Sequence, residues 1–524
     1  MEIEKEFLAV AKKIFENAKK EKRLIYNPSQ EELKEFLKNE KGVKKTRYGN
    51  WVVETEPTSR AEMFTRNNID NEFGEEELLL LSKCENILAK EELISIDRRV
   101  GKSKRIVRLI TPKKYAHLAY ELSILQLPPL ESKEPNYWIL IFTDESFEKN
   151  ISKPLHEKDI TIRIAFLENE KAIKIVRNST YFGEVKKGIF AFEDWFAKKR
   201  GIFLHAACRE DFLQQVDGSY KNVRSLIIGL SGNGKTTLAC KILARKENEK
   251  SWLIQDDGGT LHPSGIFEGF EAGGLFVKTE CVHPGEQIEI YYALLKPNTL
   301  MENVHVSENN DLDFFNLTKT SNGRAIIRRE DLMHASSYIQ VPSVENFFLI
   351  TRCPLIPAIS KLNLEQAVAF LSIGMAMETS AGNPMEAGKI RNQFFYDPFF
   401  AGNKGEHANR FYEICKKLDI DFYLLNTGEI GEGKYYKDIS VTHTVNILDS
   451  LLRGGLSRKE DWVDSPIGFK VPVAVRNVDP IYFHPEKLYS KTEYEEKKRE
   501  FFEKCKKILE EIEGLNPKIK AVFE

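Results

Sequence analysis

Apolar and charged residues alternate at helical spacing over residues 2–40, which predicts two surface helices, the second opened by Pro28-Ser-Gln-Glu-Glu32. Trp51-Val-Val-Glu-Thr55 reads as a strand and Pro57-Thr-Ser-Arg-Ala61 as a turn, followed by a polar and then leucine-rich stretch over 62–90. From Glu92 to Ile110 two strand-like runs flank the charged turn Arg98–Arg105, and a helix is expected from Lys113 to Leu125. Tyr137–Phe142 and Ile160–Ala165 are further β-rich runs, so this half reads as α+β or α/β without repeats. Thr180–Gly188 leads into an expected helix from Ile189 to Lys199, and Gly201-Ile-Phe-Leu-His205 is a short apolar strand carrying a histidine. Beyond it, Ser225–Ile228, Ser251–Gln255, residues 345–351 and Phe422–Leu425 read as buried strands. Further short strands are expected within Gly265–Lys278 and Gln287–Leu295. Helices are expected over Thr237–Lys246 and Leu364–Met377, with a charged amphipathic helix from Lys491 to Gly514.

Composition narrows the class without changing that outline. The 524 residues carry 30% charged and 42% hydrophobic positions, an ordinary globular balance for about two to four structural units. A net charge of −2 supplies no basic field to recruit nucleic acid or an anionic membrane. Seven scattered cysteines without a Cys-x-x-Cys pair argue against a disulfide framework or a zinc ribbon and fit a reducing compartment. No apolar run reaches the ~18 residues of a membrane span, and Met-Glu-Ile-Glu-Lys-Glu is unlike a secretory leader. A cytoplasmic protein is expected.

Candidate chemistry centres on Gly229-Leu-Ser-Gly-Asn-Gly-Lys-Thr-Thr-Leu238, a Gly-x4-Gly-Lys-Thr pattern between an expected strand and an expected helix. Its glycines allow a tight backbone whose N–H groups face an anion. Gly229, Leu230, Ser231, Gly232, Asn233, Gly234, Lys235, Thr236 and Thr237 are therefore the nucleotide-binding candidates, with Lys235 reaching the β- and γ-phosphates and Thr236 a divalent metal. The strand Ser251–Gln255 ends in Asp256-Asp257, carboxylates placed where a nucleotide's metal needs an oxygen ligand.

In collinear order, Thr180–Gly188, His205, Gly229–Leu238, Leu253–Asp257, Gly273–Lys278, Glu289–Val304, Arg324 and Asn426-Thr-Gly428 resemble phosphoenolpyruvate carboxykinase of the ATP type, from about residue 50 to about residue 490. The resemblance implies an α/β fold with an N-terminal substrate-side domain, 1–204, and a C-terminal P-loop domain, 205–524. It implies a metal held by Lys187, His205 and Asp257, with Thr236 on a second ion and Asp256 acting through the metals' water shell. Mn²⁺ suits that mixed nitrogen and oxygen set, and Mg²⁺ accompanies ATP. Lysine ligation requires a neutral amine, which burial and a neighbouring cation such as Lys186 would favour. Arg324, in the loop Thr320–Arg324, matches an arginine on the transferred phosphate. Lys278 matches a lysine near the carbon dioxide end, and Thr444 a threonine on the base side.

Departures bear on the acceptor. The oxaloacetate-binding loop is represented by Thr58-Ser-Arg-Ala-Glu-Met-Phe64, which keeps Arg60 as a carboxylate anchor, and Phe182 stands where the family has a tyrosine. Tyr435 replaces the base-side arginine. Two enzyme readings follow: conversion of oxaloacetate and ATP to phosphoenolpyruvate, carbon dioxide and ADP (or the reverse), and transfer of the ATP γ-phosphate to another small hydroxylated or carboxylated metabolite. Small molecules are the expected partners, with no nucleic acid or membrane, for a monomer or small homo-oligomer.

Overall fold

The computed structural model describes residues 3–55, 64–150, 160–230, 233–279, 282–285, 287–318, 322–377 and 390–524. They form a mixed α/β architecture with several sheets, divided into two compact units. The first comprises Met1–Phe196, Phe270–Met333 and Phe399–Gly402, and the second Ala197–Gly269, His334–Pro398 and Asn403–Glu524. The sequence leads one to expect a single break after residue 204. Instead the chain passes to the second unit after Phe196 and sends 270–333 back to the first. The cause is strand pairing: Leu300–Glu302 runs parallel to Trp51–Val53 in one sheet, a long-range pairing that linear composition does not reveal.

The first unit holds two large sheets and the small hairpin His305–Val306/Leu312–Asp313. A seven-stranded sheet has the order Leu24–Tyr26, Leu93–Arg99, Ile106–Pro112, Tyr137–Phe142, Lys171–Arg177, Thr161–Leu167, Thr65–Asn67, mixing parallel and antiparallel pairs. A five-stranded sheet has the order Gly274–Lys278, Arg324–Arg328, Leu300–Glu302, Trp51–Val53, Lys44–Lys45. The helix Ala116–Leu125 touches strands of both sheets and all ten of its residues are buried, including His117 and Glu121. A helix enclosed by two sheets has no polar face, which is why its sequence lacks a clean amphipathic period. Elsewhere the amphipathic helix Ile3–Lys20 lays Phe7, Ala11, Ile14 and Phe15 against Leu80, Leu81, Cys84, Trp138 and Phe142. The helix Gln30–Leu37 starts with a Ser29–Glu32 capping box, as Pro28–Glu32 predicts.

The second unit is organised on an eight-stranded sheet ordered Lys250–Gln255, Ala206–Gln214, Tyr220–Ile228, Asn346–Thr351, Asp421–Asn426, Ile359–Leu362, Lys470–Pro472, Trp462–Asp464. Tyr220–Ile228, Asn346–Thr351 and Asp421–Asn426 are parallel neighbours. Their C-terminal ends lie on one edge, where open α/β sheets collect functional loops.

Several expected elements differ in extent. The helix expected from Ile189 begins at Gly183 and runs to Ala197, so Lys186 and Lys187 sit on helix rather than in the approach to it. Gln287–Leu295 contains the helix Ile288–Leu294, not a strand, because Glu289, Ile290, Ala293 and Leu294 recur on one buried helical face. The helix from Leu364 stops at Ile373, where Gly374 turns left-handed at φ 56° and Met375–Met377 becomes a strand. Arg324 opens the strand Arg324–Arg328 instead of lying in a loop. Among the described residues no helix is long and apolar enough to cross a membrane.

Candidate active site

Strand register in the second unit gathers the candidate residues at one sheet end. Ala206 pairs with Ile228 and Cys208 with Gln255, so His205, the Gly229 loop and Asp256-Asp257 all emerge at the same edge. Ser231 and Gly232 lie outside the described residues. A Cβ on Gly229 would stand 2.9 Å from that of Ile350, a spacing only glycine accommodates. Gly234 is left-handed, φ 98°, and begins the helix Lys235–Cys240 with Thr236 and Thr237 in its first turn. Asn233 is fully buried and its carbonyl accepts from the Thr427 hydroxyl at 2.8 Å, which ties the loop to the turn after Asp421–Asn426.

The helix ends at Cys240, six residues short of its expected extent. Arg209, 1% exposed, forms a two-pronged ion pair with Asp211 at 2.7 Å and donates to the carbonyls of Leu238 and Lys241, the latter at 2.8 Å. That guanidinium satisfies the helix's last carbonyls. The chain then turns extended at Lys241, and the Ser251 hydroxyl accepts from the amides of Leu243 and Ala244.

His205 is buried and its Nδ1 stands 2.7 Å from the Tyr396 carbonyl, which can only accept, so the proton sits on Nδ1. Nε2 then faces Asp257 Oδ1 at 2.9 Å as a second acceptor. Two acceptors so close require a proton or another cation between them. Burial, and next the Lys235 ammonium, hold this imidazole below its ordinary pKa, which disfavours the proton. Adjacent ligands of an octahedral divalent ion with bonds of about 2.1 Å stand about 3 Å apart, so the pair fits such an ion. Lys235 also forms an ion pair with Asp257 Oδ1, and Asp256 is buried beside it. Phe395 and Tyr396 both adopt left-handed φ, 50° and 54°, which aims the carbonyl that orients His205. Thr444 lies on the helix Val441–Leu452, where its hydroxyl donates to Ser440 O at 3.3 Å.

The first unit carries the remaining candidates. Lys187 donates to Glu184 Oε1 at 2.8 Å, and the fully buried Lys174 donates to Glu184 Oε2, also at 2.8 Å. Burial works to raise the Glu184 carboxyl, but the two lysines more than offset it and hold it at about 2. Burial, only partly countered by Glu184, lowers Lys174. One carboxylate between two ammoniums leaves one positive charge in excess, so this trio becomes neutral by shedding a lysine proton. Lys186, the neighbouring cation expected beside Lys187, pairs with Glu271 at 2.9 Å, and it is Lys174 that shares the Glu184 carboxylate with Lys187. Arg324 lies directly opposite Lys278 on one side and Glu302 on the other across the five-stranded sheet. Arg324 is thus flanked in register by one cation and one buried carboxylate. Arg60 lies outside the described residues.

The family model described as phosphoenolpyruvate carboxykinase matches residues 22–480. The chain belongs to that family. It is 30% identical over 414 residues to a phosphoenolpyruvate carboxykinase (ATP) of Aeropyrum pernix, spanning 77% of this chain and 78% of that one. A phosphoenolpyruvate carboxykinase (ATP) of Campylobacter jejuni is 25% identical over 418 residues, 78% and 75% of the two chains. Another, from Wigglesworthia glossinidia brevipalpis, is 26% identical over 426 residues, 78% and 73% of the two chains. The match spans every carboxykinase block singled out above, including the Phe182 and Arg60 departures. Sequence reading missed Glu184 and Lys174. Glu184 was within reach, since it precedes Lys187 by one helical turn once residues 183–197 are read as helix.

Proposed function

We infer that this chain is an ATP-dependent phosphoenolpyruvate carboxykinase, converting oxaloacetate and ATP to phosphoenolpyruvate, carbon dioxide and ADP, or running the reverse. The match of the family over residues 22–480 carries this reading, and it is favoured over transfer to a different acceptor. ATP and a divalent metal belong to the chemistry of that family.

The finer assignments follow from chemistry and position. Lys235, Thr236 and the Gly229–Thr237 loop hold the ATP phosphates, and Thr444 lies on the base side. His205 and Asp257 are assigned to Mn²⁺ and Lys187 is assigned as a metal ligand, while Thr236 is the protein ligand for Mg²⁺, with Asp256 acting through the water shell. The fit of His205 and Asp257 rests on their facing acceptors and on the Tyr396 carbonyl that fixes the ring. A divalent ion there would polarise the oxygens that gain charge as the phosphoryl group moves. Arg60 anchors a substrate carboxylate and Lys278 neutralises the carboxyl end that leaves. Arg324 offsets charge spreading over the equatorial oxygens of the transferred phosphoryl, as a preorganised cation does. Phe182 supplies an aromatic wall without a hydroxyl. The reaction is placed in the cytoplasm, where the scattered cysteines stay reduced.

Purified protein is given oxaloacetate, ATP, Mn²⁺ and Mg²⁺, and release of carbon dioxide and phosphoenolpyruvate is measured beside a Lys235→Ala control. Turnover that falls on the order of 100- to 1000-fold in the control supports the reading. ATP binding with no carbon dioxide released would overturn it.

A further inference from the structure

Outside the assigned residues, four titratable side chains meet in the first unit: Glu40, His117, Glu121 and Glu302, none more than 9% exposed. His117 Nε2 lies 2.7 Å from the Thr180 carbonyl and so donates to it, while Nδ1 meets a carboxylate oxygen of Glu40. Two residues on, the Phe182 amide donates to Glu302 Oε1 at 2.9 Å. Both contacts grip one short stretch of backbone, from opposite hydrogen-bonding senses. That stretch also starts the helix Gly183–Ala197: the Phe182 carbonyl accepts from Val185 at 2.9 Å and Lys186 at 3.2 Å, and that of Tyr181 from Glu184 at 3.0 Å. The Tyr181 ring folds so closely over Gly183 that a Cβ there would lie 2.0 Å from it. Glu302, in turn, sits opposite Arg324 in the five-stranded sheet.

Glu121 completes the group. Both its oxygens and Glu302 Oε2 have no hydrogen-bond partner among the described residues, and the ligating atoms of His117, Glu121 and Glu302 lie within 4.8 Å of one another. Charges in so dry a place must cancel. Glu40 offsets protonated His117 and Arg324 offsets Glu302, which leaves Glu121 as the member that is neutral. A neutral carboxyl has a donor to offer and Glu302 Oε2 is an acceptor in want of one. Burial accordingly raises Glu121 well above the ordinary carboxyl range and Glu302 less far, to about 7, because His117, the Phe182 amide, Arg324 and the Thr55 hydroxyl favour its charged form.

We propose that Glu302 and His117 are positioning residues that clamp the Thr180–Phe182 turn and thereby aim Lys186 and Lys187, with Glu121 held as a neutral acid that donates to Glu302. The role of Lys187 rests on the carboxykinase reading; the clamp itself does not. A cation in place of the shared proton is the competing occupant, and His117 argues against it because hydrogen bonds already engage both ring nitrogens.

The test is hydrogen–deuterium exchange over residues 178–188 of the full chain, with kcat and KM for Glu302→Gln, Glu302→Leu and Glu121→Gln. Loss of one buried hydrogen bond in the leucine variant accelerates exchange at the Phe182 amide about tenfold. Misaimed lysines lower kcat on the order of 100-fold with the KM for ATP unchanged. Glutamine, which keeps an acceptor at position 302, restores protection and most of kcat. Should the leucine variant fail to fold, Glu302→Asp, one methylene short, must show the same acceleration. Unchanged exchange, or failure of glutamine to rescue, overturns the clamp. One tightly held divalent ion per chain, lost in Glu121→Gln, overturns the neutral-acid assignment. Wild-type protein inert toward oxaloacetate would sink the carboxykinase reading while the exchange result stands by itself.

Discussion

His407 packs its ring edge-on against Phe394 and Phe395, at centroid distances of 5.8 and 4.7 Å, directly under the left-handed pair that presents the Tyr396 carbonyl to His205. Burial, with Arg410 adding to it, holds this imidazole down at about 3. An unfolded histidine titrates near its ordinary 6.5, so above that pH both states are neutral and the residue contributes no pH dependence. Below it the unfolded chain takes up a proton that the folded one refuses, and stability falls steadily toward pH 3. Between pH 6.5 and 5 the loss amounts to about 2 kcal/mol. Urea midpoints of the wild type should drop over that interval relative to those of His407→Leu, whatever the variant's stability at neutral pH. Parallel pH profiles would rule the assignment out. At this scale the sequence is selectively legible. Lys235, His205 and Asp257 stand out because chemistry restricts which residues can fill such patterns. Glu302, His117 and Glu121 do not, since a buried glutamate looks in a sequence like any surface one.

Local pattern predicts elements well where one face decides them, and less well where a side chain from elsewhere ends them. Thr237–Lys246 has helix-forming composition throughout, yet the helix stops at Cys240 because Arg209 occupies its final carbonyls. No periodicity could report a guanidinium contributed from a strand more than twenty-five residues earlier. Glu289 and Ile290 followed by Ala293 and Leu294, by contrast, carried a helical face that a strand assignment overlooked. The same Arg209 makes a strong prediction. It and Asp211 are 1% and 0% exposed, and Asp211 also accepts from Ser251 at 2.7 Å. Replacing Arg209 by methionine keeps the volume but leaves a buried carboxylate and two carbonyls unserved, a loss of about 3–5 kcal/mol. Pulse proteolysis in urea should show it. Arg209→Met with Asp211→Asn should recover part of the loss, because the stranded charge is gone; a double variant no better than the single one would mean that the carbonyl caps dominate instead.

Over the whole chain, the interleaved connectivity decides what can fold alone. Residues 1–204 look like a domain by sequence, since they contain the entire seven-stranded sheet and its covering helices. They lack Gly274–Lys278, Leu300–Glu302 and Arg324–Arg328, three of the five strands in the other sheet. Those strands bury Leu275, Val277, Leu300, Met301, Ile326 and Ile327. At about 1.5–3 kcal/mol for each fully buried side chain, their removal forfeits on the order of 10 kcal/mol, as much as the net stability of a typical domain. It also uncovers one side of Ala116–Leu125, a helix with no polar face to turn toward water. A fragment of residues 1–204 should therefore retain helical circular dichroism but unfold without a cooperative transition and bind a hydrophobic dye, the behaviour of a chain that has lost specific packing. Supplying residues 270–333 in trans should restore cooperativity and quench the dye. The register of Leu300–Glu302 on Trp51–Val53 makes the rescue specific: proline at Met301, whose amide and side chain both lie within that strand, should abolish it. Cooperative unfolding of 1–204 by itself would mean that the seven-stranded sheet is the true folding unit and the five-stranded sheet only an addition to it.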